Sequence, residues 1–505
     1  MKTYISSLKQ YIEQNVTLEG WVANKRTGKG IVFLILRDGT GFVQCVVSRQ
    51  DVSAAIFADA EKLTLESSLN VSGKVVEDPK QEGGLELHVS SLSIYNIAED
   101  YPIAKKEHGV EFLMDHRHLW LRSRRQWAIM RIRNRIMQSI HRFLQDRGFI
   151  QMDAPIFTEN ASEGTSTLFQ TDFYGQPAYL SQSGQLYGEA MAFAQGLIYT
   201  FGPTFRAEKS KTRRHLSEFW MIEPEMCFYD NEMNMNLIEE MLRYLIRDTV
   251  KHCRPLLEII GRDVSRLEKA DAPFPRFTYD EAVSILKGEQ QVNGLISYQI
   301  LENDLRQIQE EIKAAKEEVQ EREAKVKSGS LKKGELNFNI NKIGQLKAEI
   351  KDLEERAQNI PQWIESARNF RYGNDFGGSD ETVLTRLFDT PIMVYNWPYE
   401  VKAFYMKRDE TGRFAKGVDV LAPEGFGEIV GGGERETNLD FLIHQIHTHG
   451  LPLQAFEWYL DLRRYGSVKH AGFGLGLERF IAYICGLHHV RETIPFPRMY
   501  GRLSP

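Results

Sequence analysis

The sequence has no apolar run long enough to cross a bilayer and contains little cysteine. A membrane-spanning helix needs about 18 to 20 consecutive apolar residues, and no stretch of the 505 residues reaches that length. The first residues, MKTYISSLKQYIEQN, lack the apolar core of a secretory signal and the arginine and serine bias of a transit peptide. We therefore expect a cytoplasmic protein without membrane association. The four cysteines are widely separated and form no CxxC pair, which argues against a zinc site or a disulfide framework: Cys45, Cys227, Cys253 and Cys485.

An excess of positive charge is also absent. The net charge is −6, from 63 basic and 69 acidic side chains, which argues against a protein that coats nucleic acid without specificity. A local basic patch can still contact phosphates, because local charge decides that interaction. Hydrophobic residues make up 42% of the chain, enough for two or three domains with cores of their own.

Residues 1–100 predict a small β-barrel. The β-rich runs VTLEGWVANKR, GIVFLILRDGTGFVQCVV, SLNVSGKVVED and GGLELHVSSLSIYN are separated by Gly, Asp and Asn turns, and a helical stretch near 51–62 interrupts them. Strands with one inserted helix in about a hundred residues suit a Greek-key barrel of the OB type. The pattern alone leaves other small β-barrels open.

A hinge is predicted at 101–122, and an amphipathic helix follows over 123–148. Gly148 ends this helix in the usual way. Strand and helix signals then mix over 149–285 and again from about 373 to the end of the sequence. The apolar residues of the helix recur at helical spacing: Ile129, Ile132, Ile136, Ile140 and Phe143.

Residues 288–370, between these two mixed stretches, predict an inserted helical coiled-coil hairpin. Two apolar heptad runs stand on either side of the loop KSGSLKKG, the first beginning at Leu301 and the second at Ile343. Such a hairpin is more typical of a spacer or docking arm than of a chemical site.

The segment TFRAEKSKTRRHLSEF carries the first candidate site. Arg206 and Glu208 are two residues apart, so that on a strand they would share a face. A basic loop over 209–215 follows, and a second strand carries Phe219 and Glu223 on one face. An arginine for a phosphate, a ring for stacking on a base and a carboxylate for an exocyclic amine would together suit a nucleotide. An ordinary hairpin with a charged loop is the alternative.

A second segment, GFGLGLERFIAYICG, is a glycine-rich strand that leads into a helix. Gly472, Gly474 and Gly476 alternate, which clears side chains from one face and lets a ligand approach the backbone. Arg479 begins the apolar helix, where its charge adds to the attraction of the helix N-terminus for phosphate. A third segment, GFIQMDAPIFTENASEG, is predicted to place Pro155 on a strand after the long helix.

Taken in this order, the three segments resemble the signature motifs of the class II aminoacyl-tRNA synthetases. Pro155 matches the motif 1 proline, FRAE…RRHLSEF matches motif 2, and GLGLERF matches motif 3. The resemblance is strongest to the subgroup that serves aspartate, asparagine and lysine, and it leaves out only the inserted hairpin. It implies an α+β protein with an anticodon-binding OB domain over 1–100 and a class II catalytic domain over 123–505. The catalytic domain would be an antiparallel sheet flanked by helices, and it would form a homodimer through motif 1.

The resemblance also implies which residues bind ATP. Arg206 would bind the α-phosphate and the substrate carboxylate, Glu208 would contact the adenine amine, and Phe219 would stack on the ring. Arg479 would cover the other face of the adenine and reach the γ-phosphate, so that Arg206 and Arg479 are the expected catalytic residues. Two further residues would close the loop over the phosphates: Arg214 and His215.

A magnesium ion is implied in the stretch GVDVLAPEGFGEIVGGGERE. Glu428 matches the family's magnesium-binding glutamate, and Asp419 is the expected second ligand, although this stretch carries one extra residue. Carboxylates together with ATP phosphates are the ligands that Mg²⁺ prefers.

Within the subgroup, the stretch AYLSQSGQLYGEAMAFA favours L-asparagine as the substrate. By resemblance, Glu163, Ser183 and Gln185 would hold the α-ammonium group. Related aspartate enzymes usually read QSP here and carry a lysine after QLY, whereas this chain reads QSG and has a glycine followed by Glu189. Glu189 would accept from the asparagine NH₂ and repel an aspartate carboxylate, and Arg435 would donate to the side-chain carbonyl.

In the barrel, the resemblance implies that Phe33 stacks on the middle anticodon uridine and that Gln44 reads its edge. Arg26 would contact phosphate. Packing of Phe33 in the core of a buried VFLIL strand is the alternative.

The expected reaction is ATP-dependent formation of asparaginyl-adenylate and transfer to tRNA(Asn). An aspartate or lysine enzyme, a free-standing asparagine-forming ligase and a non-catalytic RNA-binding relative are the rivals.

Overall fold

The structure is a computed structural model that describes residues 1–103, 108–159 and 168–505. It divides into two compact units, Met1–Gly109 and Val110–Pro505. Part of the predicted hinge, 104–107, lies outside the described residues. The last part of the predicted hinge, 110–122, belongs to the second unit and contains two short helices.

The first unit is a closed five-stranded barrel with a core of its own. In the second strand Val32, Leu34 and Leu36 are fully buried, and the residues between them are half-buried. The strand order is β1-β2-β3-β5-β4, with β3 and β5 parallel and the other neighbours antiparallel. The predicted barrel of the OB type is confirmed. Its elements are β1 (Asn15–Gly28), β2 (Ile31–Arg37), β3 (Phe42–Ser48), α1 (Ala54–Lys62), β4 (Ser68–Glu77) and β5 (Leu85–Asn96).

The second unit opens with the predicted amphipathic helix, whose apolar stripe is fully buried. Ser123 caps this helix by accepting from the backbone N–H of Gln126 at 3.3 Å, and Gly148 follows its end with a φ of +82°. The helices of this unit up to the inserted hairpin are α2 (Val110–Asp115), α3 (Arg117–Trp120), α4 (Arg124–Gln145), α5 (Gln185–Gln195), α6 (Asn231–Ile259), α7 (Val264–Lys269) and α8 (Tyr279–Leu286).

An eight-stranded sheet forms the centre of the unit, in the order β12-β13-β14-β15-β16-β11-β10-β6. It is antiparallel except at β6 beside β10 and β12 beside β13. A three-stranded sheet, β7-β9-β8, stands apart from it. The strands are β6 (Ile150–Met152), β7 (Phe157–Thr158), β8 (Gln170–Phe173), β9 (Gln176–Leu180), β10 (Leu197–Phe205), β11 (Glu218–Cys227), β12 (Arg276–Thr278), β13 (Ile392–Pro398), β14 (Phe414–Ala422), β15 (Gly427–Glu434) and β16 (His470–Gly476).

Pro155 was expected on a strand, and the structure corrects this. It lies in the irregular stretch between β6 and β7. A proline has no N–H to donate to a neighbouring strand, so it interrupts the ladder at this point.

The inserted segment forms two long helices that pack against each other. Val319 on the first helix and Leu346 and Ile350 on the second are buried between them. The base of the hairpin shares a core with α8 and with the helix that follows the insertion. No described helix is both long and apolar enough to span a bilayer. The remaining helices are α9 (Ser297–Lys327), α10 (Lys333–Arg368), α11 (Gly378–Thr385), α12 (Leu439–Thr448), α13 (Glu457–Arg464) and α14 (Leu477–Cys485).

Candidate active site

A cavity of about 380 Å³ opens on one face of the eight-stranded sheet. One wall is a face of β11, where alternate side chains all line the cavity. The prediction that Phe219 and Glu223 share a strand face is confirmed. The four residues of this row are Phe219, Met221, Glu223 and Glu225.

Glycines of β16 leave the space that these side chains use. A Cβ atom at Gly474 would overlap the Met221 side chain, and one at Gly472 would overlap the carboxylate of Glu225. The space cleared at Gly472 and Gly474 is thus filled by protein side chains, and the predicted approach of a ligand to the backbone of this strand stays a prediction.

Arg206 and Glu208 both line the cavity, although they lie beyond the end of β10 rather than on it. The backbone N–H of Arg206 still donates to the carbonyl oxygen of Ser217 at 3.0 Å, which continues the β10–β11 pairing. The Arg206 guanidinium carbon lies 5.4 Å from the centre of the Phe219 ring. Its Nε is buried and has no hydrogen-bond partner among the described residues.

Two more arginines meet at the same end of the cavity. Arg479, in the first turn of α14, donates from Nη1 to the carbonyl oxygen of Glu428 at 3.1 Å and from Nε to that of Arg214 at 3.4 Å. Arg214 donates from Nη1 to Glu381 at 2.6 Å. His215 faces Glu208 at 3.4 Å, and burial and the nearby Arg479 lower the pKa of this imidazole.

Carboxylates gather beside these arginines. Asp419 and Glu428 approach each other over Gly431, and Lys402 donates to Asp419 at 2.5 Å. Burial, reinforced by Glu428 and opposed by Lys402, raises the pKa of Asp419 to about 7. No group of three or more His, Cys, Asp or Glu side chains in the described part of the chain is arranged to hold a metal.

The other end of the cavity is lined by Ser183, Gln185, Glu225 and Arg435. Arg435 makes two hydrogen bonds to Glu225, at 2.5 and 3.3 Å, and both side chains are at most 3% exposed. Burial raises the pKa of Glu225, and the attraction of Arg435 opposes that rise. Gln185 presents a buried Oε1 that lacks a partner among the described residues. This end therefore offers a neutral acceptor and an ion pair to a small polar molecule.

Glu189, expected to read the substrate side chain, does not line the cavity. It is fully buried behind Gln185, which donates to it at 2.5 Å, and it also accepts from Arg463, His470 and Tyr459, each at 2.8 Å. Burial would raise the pKa of this carboxylate, but Arg463 and His470 hold it well below its usual range. Because its oxygens are occupied by protein groups, Glu189 has no free position for a substrate amide. Glu163, the other expected acidic residue, lies outside the described residues.

Glu225 lines the cavity but is not among the site residues predicted from the sequence motifs. It continues the alternation of Phe219 and Glu223 along β11, and that pattern was the signal that could have identified it.

Both units match known protein families. Residues 109–500 match the family described as tRNA synthetases class II (D, K and N), and residues 16–95 match the OB-fold nucleic acid binding domain. The family match covers well over half of the chain.

The chain belongs to the class II tRNA synthetases.

Individual relatives cover the whole synthetase chain. The asparagine–tRNA ligase of Sorangium cellulosum is 49% identical over 99% of this chain and 98% of its own length. That of Thermus thermophilus is 44% identical over the full length of both. The structure of asparaginyl-tRNA synthetase from Pyrococcus horikoshii complexed with asparaginyl-adenylate is similar with a TM-score of 0.81, at 34% identity and 100% coverage of both chains.

Of the residues of the synthetase's barrel that are predicted to read RNA, Arg26 is exposed, Phe33 is half-buried and Gln44 is buried. Phe33 is not part of the barrel core, because it alternates with the buried Val32 and Leu34, so the core-packing alternative is wrong. The Arg26 guanidinium lies 4.6 Å from the centre of the Phe33 ring. Gln44 donates to Glu86 at 3.1 Å, which holds its amide in one orientation.

Proposed function

We propose that this synthetase activates L-asparagine with ATP and transfers the asparaginyl group to tRNA(Asn). The observation that carries the proposal is the Glu225–Arg435 pair on the cavity wall. Glu225 accepts from the side-chain NH₂ of asparagine while Arg435 donates to the side-chain carbonyl oxygen. An aspartate in the same place would bring a second carboxylate against Glu225. The asparagine–tRNA ligases among its relatives support this substrate.

The α-ammonium group of the substrate is placed against Gln185. Glu189 fixes the Gln185 amide by accepting from its Nε2, so that Oε1 points away from Glu189 as an acceptor. Ser183 lines the same end, and its hydroxyl donates to Glu223. Glu163 stays a predicted third contact.

ATP occupies the arginine-rich end of the cavity. Phe219 stacks on the adenine, and Glu208 accepts from its exocyclic amine. Arg206 donates from its guanidinium to the α-phosphate and to the substrate carboxylate, and Arg479 reaches the γ-phosphate. The two loop residues that close over the phosphates are Arg214 and His215.

The reaction needs charge neutralisation rather than a protein nucleophile. The asparagine carboxylate attacks the α-phosphorus in line, the bond to the bridging oxygen breaks, and pyrophosphate leaves. The terminal ribose hydroxyl of the tRNA then attacks the carbonyl carbon of the adenylate, and AMP leaves. Arg206 stabilises the charge that develops on the α-phosphate in the first step.

Asp419 and Glu428 are the residues that would hold Mg²⁺. Their carboxylates suit a hard cation, and the small number of protein ligands suits an ion that keeps several phosphate oxygens. When bound, the ion neutralises phosphate charge on ATP. Lys402 holds Asp419 through an ion pair of 2.5 Å.

The remaining assignments concern partners. Phe33 and Gln44 read the middle anticodon base, and Arg26 contacts phosphate. The synthetase forms a homodimer through motif 1, where β6 is the edge strand of the large sheet and Ile150 and Ile156 are exposed. A cytoplasmic location fits four free, buried cysteines.

The test is exchange of labelled pyrophosphate into ATP, run in parallel with asparagine, aspartate and lysine. Exchange with asparagine alone, followed by charging of a tRNA(Asn) transcript, is the expected result. Exchange with aspartate alone would keep the activation chemistry and overturn the substrate. Absence of exchange with all three would favour the non-catalytic relative.

A further inference from the structure

The inserted hairpin contacts the ATP-binding loop. The loop between β10 and β11 carries Arg213 and Arg214 next to each other. Arg213 donates from Nη2 to Glu355 of α10 at 2.5 Å, a contact between residues 142 positions apart. No described residue of α9 or α10 lines the cavity, so the hairpin can affect ATP only through another element.

The neighbouring Arg214 is linked to α10 indirectly, through α11. Its guanidinium donates to Glu381 at 2.6 Å, to Thr382 at 3.0 Å and to the carbonyl oxygen of Gly425. Glu381 and Thr382 belong to α11. The next residue before them, Asp380, accepts from Ser366 of α10 at 2.9 Å.

The base of the hairpin packs against α11, the helix that holds Arg214. Ile360 and Ile364 of α10 share a buried core with Val383 and Leu384 of α11. The backbone of the loop is fixed on its other side, where the N–H of Val490 donates to the carbonyl oxygen of Arg213 at 3.0 Å. The side chain of Arg213 is thus the part of that residue that reaches the hairpin.

The loop in turn contacts the residues that face the phosphates. Arg479 donates to the carbonyl oxygen of Arg214 and to that of Glu428. A displacement of the loop at Arg213 would therefore move groups on the ATP side. It would not move Glu225 or Arg435, which are paired with each other at the other end of the cavity.

We propose that the hairpin braces the ATP-binding loop, and that Glu355 is the positioning residue that does so through Arg213. The brace holds Arg214 and His215 at the cavity wall and so supports ATP binding. This inference rests on the proposed function for the identity of the nucleotide. The pair is half-exposed, at 43% for Arg213 and 51% for Glu355, so its effect is modest and is screened by salt.

The test compares Glu355→Gln with Glu354→Gln. Glu354 is the adjacent residue on α10, and its partner is Lys316 of α9 at 2.6 Å, so the control removes an ion pair confined to the hairpin. In the exchange assay, Glu355→Gln is expected to raise the KM for ATP by roughly two- to fivefold while leaving the KM for asparagine unchanged. Glu354→Gln should alter neither constant. Equal effects of the two variants would overturn the proposal.

A charge reversal separates the brace from a direct contact between Arg213 and ATP. Arg213→Glu should raise the KM for ATP more than Glu355→Gln does, and adding Glu355→Arg should restore at least half of the loss. Absence of rescue would assign Arg213 to ATP itself and overturn the brace. High salt should bring the wild-type protein closer to Glu355→Gln.

Titration of ATP without amino acid keeps this test independent of the proposed substrate. The dissociation constant for ATP should rise in Glu355→Gln and stay unchanged in Glu354→Gln, whichever amino acid supports exchange. A wild-type protein that binds ATP but fails to exchange with asparagine would refute the proposed function alone. An unchanged dissociation constant in Glu355→Gln would refute the brace alone.

Discussion

The two ends of the cavity handle charge in opposite ways. At the amino-acid end, Glu225, Arg435 and Glu189 are almost fully buried, and each is paired with another protein group. At the ATP end, Arg206 keeps an unpaired donor, and Arg479 and Glu428 are half-buried. The first end is organised before any ligand arrives, which suits discrimination of one small neutral side chain. The second end holds positive charge that a polyphosphate can use.

The sharpest way to break this contrast is Glu225→Gln. Arg435 would lose its carboxylate and would then attract the side chain of aspartate. We expect the preference for asparagine over aspartate, as a ratio of kcat/KM in pyrophosphate exchange, to fall about a thousandfold. The same substitution at Glu218, which begins β11 and does not line the cavity, is the control. A Glu225→Gln variant that folds and keeps the preference would remove Glu225 from substrate recognition.

Glu189→Gln tests whether a buried charge that the substrate does not touch matters for stability rather than selectivity. Arg463 and His470 would lose their shared carboxylate inside the protein. We expect the free energy of unfolding to fall by about 3 kcal/mol, measured by denaturant titration. The surviving enzyme should keep its preference for asparagine. Glu457→Gln, which removes an exposed partner of Arg464, should change the unfolding free energy little. Loss of selectivity in Glu189→Gln would return Glu189 to the role predicted from the sequence.

These two glutamates show what the sequence could and could not predict. Glu189 follows Gln185 by four residues on α5, so their contact was within reach of helical spacing. The partners that occupy Glu189, Arg463 and His470, come from more than 270 residues away. Tertiary contacts at that separation leave no local pattern, so the sequence alone does not show that protein groups occupy the carboxylate of Glu189.

The fold was easier to predict because its signals are local. The spacing of apolar residues within a few turns or residues predicts each element. It does so for the alternation in β2 and β11, for the apolar stripe of α4 and for the two heptad runs. The contact of Arg213 with Glu355 could not be predicted, because it depends on the angle at which the hairpin leaves the domain.

The ATP end should respond to the shape of its donors as well as to their charge. In Arg206→Lys the positive charge remains, but the planar guanidinium that faces the Phe219 ring and carries the free Nε is lost. We expect kcat for exchange to fall about a hundredfold. The KM for asparagine should change much less, because Glu225 and Arg435 are untouched. Arg276→Lys, on β12 and not part of the cavity lining, serves as the control. An unchanged kcat would show that Arg206 does not stabilise the transferring phosphate.

The smallest expected effect is a pH dependence at the edge of the ATP end. Burial, and then the neighbouring cations Arg491 and Arg213, lower the pKa of His489 to about 4. Its Nδ1 accepts from the backbone N–H of Arg491 at 3.1 Å, so the neutral form is the one that the fold uses.

Because the pKa of His489 is lower in the folded state than in the unfolded state, the unfolded chain binds more protons as the pH falls from about 6.5 towards 4. Stability is therefore lost over that window. We expect His489→Asn to recover about 1 kcal/mol of the difference in unfolding free energy between pH 7 and pH 5, a value reduced for partial exposure. His488→Asn, at the exposed neighbouring position, should leave the difference unchanged. A His489→Asn variant with the wild-type pH profile would contradict this prediction. Protonation of the partly exposed His489 would then cost the folded state no free energy, and the loss of stability at low pH would arise from other groups.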